Sequence, residues 1–209
     1  RKFSDDLTDT ERHGPRFIDC DLTGVKINGS DWFGCDFSSL NISRFEAKGS
    51  ELSLANFSKM ALESCDFSLS YFRYADFSGA DFKGCNLTGT YLDGIDLRRA
   101  KNLNQANFTE ALFGPETDLS RKNFQGSDLR NAVFDRTKVH TTNFTETNLS
   151  GAKFNSDRVQ IVSPKLQSIR KCSFEEATLA YASFSYPVIA ASSFRNANLD
   201  HAKFIGINE

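Results

Sequence analysis

Large apolar side chains return at every fifth residue of this chain, and no other feature restricts its fold so tightly. Steps of five from Phe17 meet Leu22, Ile27, Trp32, Phe37, Ile42, Ala47, Leu52, Phe57, Leu62, Phe67, Phe72, Phe77, Phe82, Leu87, Leu92 and Leu97, seventeen positions with one small residue. One extra residue then resets the series to Leu103, Phe108 and Phe113, and a second insertion around Gly114 and Pro115 resets it to Leu119. From there it runs through Phe124, Leu129, Phe134, Val139, Phe144, Leu149, Phe154 and Val159, is broken at Pro164, and resumes from Ile169 to Phe204. Seventeen of the twenty Phe lie on this series, so the aromatic content belongs to the repeat and is no separate sign of a cofactor or base-stacking site.

A helix repeats its apolar face near 3.6 residues and a half-buried strand at 2, so a period of five fits neither as a continuous element. It suits a chain that turns a corner every five residues and lays one short extended segment along each side of a tube, the mark of a solenoid. In an extended segment, residues two apart share a face. Two before each large residue stand Cys20, Ser30, Cys35, Ser50, Ala55, Cys65, Ser70, Ala75, Ala80, Cys85 and Thr90, eleven small residues in the first seventeen repeats. One large and one small side chain per repeat therefore fill a narrow interior. At Phe45 and Ala47 the two sizes change places with total volume kept, a swap that packed interiors tolerate. Between the inward positions lies Asp or Asn, as at Asp21, Asp36, Asn56, Asp76 and Asn143, followed by Ser or Thr and then Gly, Asn or Glu, which is corner chemistry.

The segments CDLTG, CDFSS, ANFSK, CDFSL, ADFSG, ADFKG, CNLTG and ANFTE resemble the pentapeptide-repeat family over roughly residues 17–207. That resemblance implies an all-β fold, a right-handed quadrilateral parallel β-helix with four repeats per coil and about nine to ten coils. Residues twenty apart would then stack, placing Phe17, Phe37, Phe57 and Phe77 in one column and Phe134, Phe154, Phe174 and Phe194 in another. Residues 1–16 read as an N-terminal cap or lead-in, and 17–209 as a single β-helix with irregularities at 98–118 and a loop within 155–171.

Thirteen basic side chains face sixteen acidic ones in residues 1–104, and twelve face eleven in 105–209, for a net charge of −2. A surface that tracks phosphates needs a strong excess of Lys and Arg, so direct nucleic-acid binding is disfavoured. No apolar run reaches the ~18 residues of a bilayer-spanning helix, and no membrane contact is expected. All five Cys take the small inward position. Cys65 and Cys85 alone are twenty apart, so a disulfide is thinkable there, but buried reduced thiols are the expectation. His13, His140 and His201 are far apart in sequence, no Cys pair has metal-ligand spacing, and neither a phosphate loop nor a nucleophile elbow occurs. Neither a cofactor nor a metal is expected, and the chain reads as a non-enzyme.

Function in a repeat rod sits where the pattern breaks. The stretch NSDRVQIVSPKLQSIRK (155–171) would push Asp157 and Gln167 inward, and an unpaired buried carboxylate is costly. A loop there would display Arg158, Lys165, Arg170 and Lys171 as a basic patch for a partner. The C-terminal repeat runs on with no amphipathic helix after it, suggesting a fragment or an open end available for association. The expected function is a non-catalytic protein–protein interaction scaffold, cytoplasmic in its bacterial producer. By family resemblance it could instead be a domain of an effector delivered to host cells. The alternative, again from the family, is a DNA mimic that binds DNA gyrase or topoisomerase and gives quinolone resistance.

Overall fold

The structure is a computed structural model and describes residues 17, 20–154, 167–185 and 187–206. Its regular strands are very short: β1 (Tyr91–Leu92), β2 (Leu112–Phe113), β3 (Val133–Phe134), β4 (Lys153–Phe154), β5 (Gln167–Arg170), β6 (Ser183–Ser185), β7 (Pro187–Ala190) and β8 (Lys203–Ile205). Six of them form one sheet in the order β1-β2-β3-β4-β6-β8, β5 pairs with β7, and every pairing is parallel. Isolated parallel bridges carry the same pattern elsewhere, as in Asp36↔Asn56↔Asp76 and Lys26↔Glu46↔Asp66↔Asn86. The chain therefore winds as a four-walled parallel β-helix.

The bonds that hold it run between coils. Phe37 N–H donates to Asn56 C=O at 2.9 Å, and Asn56 N–H to Cys35 C=O at 2.9 Å, so one edge of the segment is tied to the next coil by both bonds. Each corner is a turn closed from the residue three on, for example Leu40 N–H to Phe37 C=O at 2.9 Å. The Asp of the repeat locks that turn: Asp36 Oδ1 accepts Ser38 N–H at 3.0 Å and Ser38 Oγ–H at 2.7 Å. This is an Asx motif, and it explains the Asp-x-Ser grammar. At most corners the next residue is left-handed, glycine at Gly94 (φ 67) but also Tyr74 (φ 56) and Lys59 (φ 61).

Inside, Phe37, Phe57 and Phe77 are fully buried and stack at 4.7 and 5.2 Å between centroids. The exchanged pair Phe45 and Ala47 is likewise fully enclosed. Most buried hydroxyls at the small position find carbonyls, Ser50 Oγ on Ile27 O at 2.8 Å and Thr90 Oγ1 on Leu87 O at 2.7 Å, as buried polar groups usually do; Ser127 Oγ, buried before Leu129, is an exception. Cys35, Cys65, Cys85 and Cys172 are buried free thiols and Cys20 is exposed. Burial pushes the Cys35 thiol up to about 11 and raises Cys85 and Cys172 as well.

The stacking step departs from twenty in three places, and the last of them corrects the expected columns. Across the first insertion Asn86 pairs with Asn107 and Tyr91 with Leu112; across the second Asp96 pairs with Asp118. The first extra residue is taken up in a 3₁₀ turn, Leu103–Gln105, after left-handed Asn102. The second lies at a corner where a Cβ on Gly114 would collide with the Asp93 carboxylate. Further on, Asn143 pairs with Ser173 and Phe154 with Phe184, thirty residues apart. Ten added residues thus fall between Phe154 and Ile169, and they shift every later column by two walls.

Phe154 consequently stacks on Phe184 (4.8 Å, 3°) and meets Phe174 edge-on (5.8 Å, 82°). Phe134, Phe154, Phe174 and Phe194 divide between two columns, Phe113–Phe134–Phe154–Phe184–Phe204 and Phe124–Phe144–Phe174–Phe194. Phe17 is partly buried, and its ring lies 5.2 Å from Trp32. Coil counts based on twenty residues per coil fail for the same reason. The cap expected at 1–16 and most of the loop expected within 155–171 fall outside the described residues, whereas Gln167–Arg170 is strand β5 within the helix wall.

Phe77→Ala should lower unfolding stability by about 3–5 kcal/mol, the range for large core truncations. Chemical denaturation reads this out, and a near-zero shift would mean the column is loosely packed.

Candidate protein-binding surfaces

Each repeat has one outward residue between its two buried ones, and the coils align these residues into a column on each wall. Three walls keep mainly Asp, Asn or other polar groups there: Asp36, Asn56, Asp76, Asp96 and, after the two insertions, Asp118 and Lys138 on the first; Asn123, Asn143, Ser173, Ser193 on the second; Asp66, Asn86, Asn107 on the third. Many of these acids have a cation beside them. Lys48 reaches Asp66 at 3.1 Å, Arg130 reaches Asp128 at 2.7 Å, and Arg98 spans Asp96 (2.7 Å) and Asp118 (3.4 Å).

The fourth wall differs. Its bridges and strands align Asp31, Glu51, Tyr71, Tyr91, Leu112, Val133 and Lys153. Four apolar or aromatic residues therefore occupy successive rungs at the position where the repeat favours Asp or Asn. Tyr71 and Tyr91 stack face to face at 4.6 Å, with 44% and 41% of their surface exposed. Leu69, 59% exposed, lies at the adjoining corner. At the opposite corner the Tyr74 ring covers Gly94, where any Cβ would collide with it, and Arg73 lies over that ring at 5.6 Å. Together Leu69, Tyr71 and Tyr91 make an exposed apolar patch on this wall.

A cleft of about 540 Å³ opens on the first wall beside the second insertion, lined by Asp96, Arg98, Arg99, Asp118, Arg121 and His140 among others. Arg98 holds the Asp96 carboxyl below its usual range, chiefly by direct hydrogen bonding, and Asp96 in turn raises the guanidinium. Lys122 Nζ donates to Ala100 C=O at 2.8 Å, and burial pushes its amine down. Within the cleft Arg98 answers both carboxylates, Asp96 and Asp118.

Of the four residues expected to form a basic patch, Arg158 and Lys165 lie outside the described residues. Arg170 ends β5 with its Nε donating to Ser168 Oγ at 3.1 Å, and Lys171 sits exposed at a left-handed corner (φ 54). The structural centres Phe37, Phe57, Phe77, Phe134, Phe154 and Phe174 are all fully buried, with Phe194 partly so. His140 borders the cleft, His201 stacks on Tyr181 at 4.9 Å, and His13 is outside the described residues. Among the described residues no group of His, Cys, Asp or Glu is placed to hold a metal ion, and no helix is long and apolar enough to cross a membrane. Sequence reasoning missed the fourth-wall column. Its only sequence signal was Tyr71 and Tyr91, twenty residues apart where Asp or Asn is usual.

These features define a quadrilateral β-helix of five-residue repeats whose variable surfaces are its walls. The family model for Pentapeptide repeats (8 copies) matches residues 50–89, 78–114 and 117–156, and the chain belongs to the pentapeptide-repeat family. Full-length QnrB1, a plasmid-mediated fluoroquinolone resistance protein, has a similar structure: TM-score 0.60 and 21% identity, over 88% of this chain and 85% of that one. A trypsin-treated QnrB1 variant gives TM-score 0.61 and 19% identity, over 90% and 88%. At these identities the likeness establishes the fold. No curated protein sequence matches the chain.

The Arg98 pairing carries a pH signature. A carboxyl depressed on folding stabilises the fold above its ordinary range, and that contribution is lost as pH falls through the depressed value. Arg98→Ala should therefore lower the thermal midpoint slightly at pH 7 and converge with the wild type near pH 2. Equal midpoints at pH 7 would show that the pair contributes nothing.

Proposed function

We propose that this protein is a non-catalytic scaffold that binds a protein partner through its fourth wall. The observation that carries this reading is the column of exposed Tyr71 and Tyr91 continued by half-buried Leu112 and Val133, at a position where the repeat favours Asp or Asn. Nothing in the repeat's own construction needs those residues, because the position points away from the core. Tyr supplies a large apolar ring with a polar tip at low rotamer cost, which is why it recurs at the centres of protein contacts. A wall bonded to the coils on both sides is already ordered, so binding there loses little conformational freedom.

A photo-crosslinking side chain at position 91 should yield protein adducts in cells, and one at position 143 on the opposite wall should yield few. Equal yields, or none from position 91, would overturn the reading.

A second reading is a DNA-mimicking contact with DNA gyrase, of the kind linked to quinolone resistance. Its support is the first wall's four Asp, interrupted by Asn56 and followed by Lys138, and the QnrB1-like fold. The cation beside Asp96 and Asp118 weakens the column as a substitute for phosphates. A gyrase supercoiling assay with and without a fluoroquinolone tests it: inhibition or drug protection by the protein would favour this reading, and no effect at micromolar protein would remove it.

A further inference from the structure

The fourth wall is self-complementary about its own midpoint, and we infer that the partner it accepts is a second copy of this chain, packed wall to wall with the two rods antiparallel. This inference rests on the reading of the fourth wall as a binding surface and adds the identity of its occupant.

The order of rungs carries the argument. From Glu51 the column proceeds through Tyr71, Tyr91, Leu112 and Val133 to Lys153, each paired with the next. Place a two-fold axis in the interface, parallel to the strands and between the Tyr91 and Leu112 rungs. The strand direction is then kept and the rod direction reversed, so the column of one copy lies on that of the other. Tyr91 falls opposite Leu112, Tyr71 opposite Val133, and Glu51 opposite Lys153.

Each bulky ring thus meets a smaller aliphatic group, which lets two flat walls stay parallel, and each end of the apolar stripe closes with an opposite charge. An isologous contact requires this reciprocity, in which residue i meets j and j meets i. In a parallel arrangement rung would meet like rung, setting Glu51 on Glu51 and Lys153 on Lys153, a juxtaposition that costs affinity.

Both charged ends are available. Lys153 is exposed. Glu51 uses Oε1 to accept Ser53 N–H at 2.8 Å, and its second oxygen remains for a partner. Arg73 is drawn to the corner over Tyr74, beside the stripe. The stripe is central to the rod and owes nothing to either chain end.

Sedimentation velocity on the intact chain should show a monomer–dimer equilibrium that shifts with concentration. Tyr71→Asp with Tyr91→Asp should make the protein monomeric while leaving it folded, read as an unchanged far-ultraviolet circular dichroism spectrum, since both side chains point outward. Lys153→Glu alone should weaken the dimer at least tenfold, and adding Glu51→Lys should restore it.

Orientation is read by crosslinking in a Cys20→Ser background. Glu51→Cys and Lys153→Cys lie five rungs apart, roughly 24 Å at strand spacing, too far to bridge within one copy. The double variant should oxidise to a covalent dimer, and neither single variant should.

A wild type that stays monomeric at 100 μM, single variants that crosslink as well as the double, or a charge swap that fails to restore association would each overturn the inference. If the wild type is monomeric yet position 91 still crosslinks to another protein in cells, only the second-copy assignment falls. If position 91 captures nothing, the binding-wall reading falls with it.

Discussion

The backbone ladder between successive coils is the interaction on which everything else in this molecule rests. Each wall segment is too short to form a sheet with anything but the segment directly above and below it, so its N–H and C=O groups are satisfied only if neighbouring coils stay in phase. That requirement aligns the phenyl rings into columns, sets the tube's width, and leaves one large and one small inward side chain per repeat as the filling that fits. The Asx-locked corners serve the same end by returning the chain to the next wall at a constant angle.

Phase explains how the irregular regions are tolerated. A single extra residue at a corner, as in the turn at Leu103–Gln105 or beside Gly114, displaces backbone outward and leaves the wall segments where they were. Ten extra residues before Ile169 amount to two repeats, and pairing resumes with Phe184 on Phe154. The core registers the first change as a longer step and the second as a swap of columns, and in both cases stacked rings continue.

Because the inward positions and corners are so constrained, the outward residue of each repeat is where walls can differ. Three walls keep groups that cap turns, bond to their neighbours up the column, or pair with nearby cations, as Asn56 does with Asp36 (3.0 Å) and Asn86 with Asp66 (3.2 Å). The fourth gives up those contacts over four rungs for two exposed, stacked rings and two half-buried aliphatic groups.

Period five, the alternation of large and small, and the Asp-x-Ser corners were all readable in the linear chain, since each depends on residues at most five apart. That information established the β-helix and its inward positions, among them the buried exchanged pair Phe45 and Ala47, although Leu199 and Phe204 on the same series are exposed. Neighbours along the rod are another matter, because they are counted in coils, and coil length here is twenty, twenty-one, twenty-two or thirty residues. Tyr71 and Tyr91 stand at the regular interval; Leu112 and Val133 join them only through the longer steps, and Phe154 finds Phe184 instead of Phe174. Only the folded register could decide these partners, since backbone pairing between coils, and no local rule of sequence, determines which repeat lies above which.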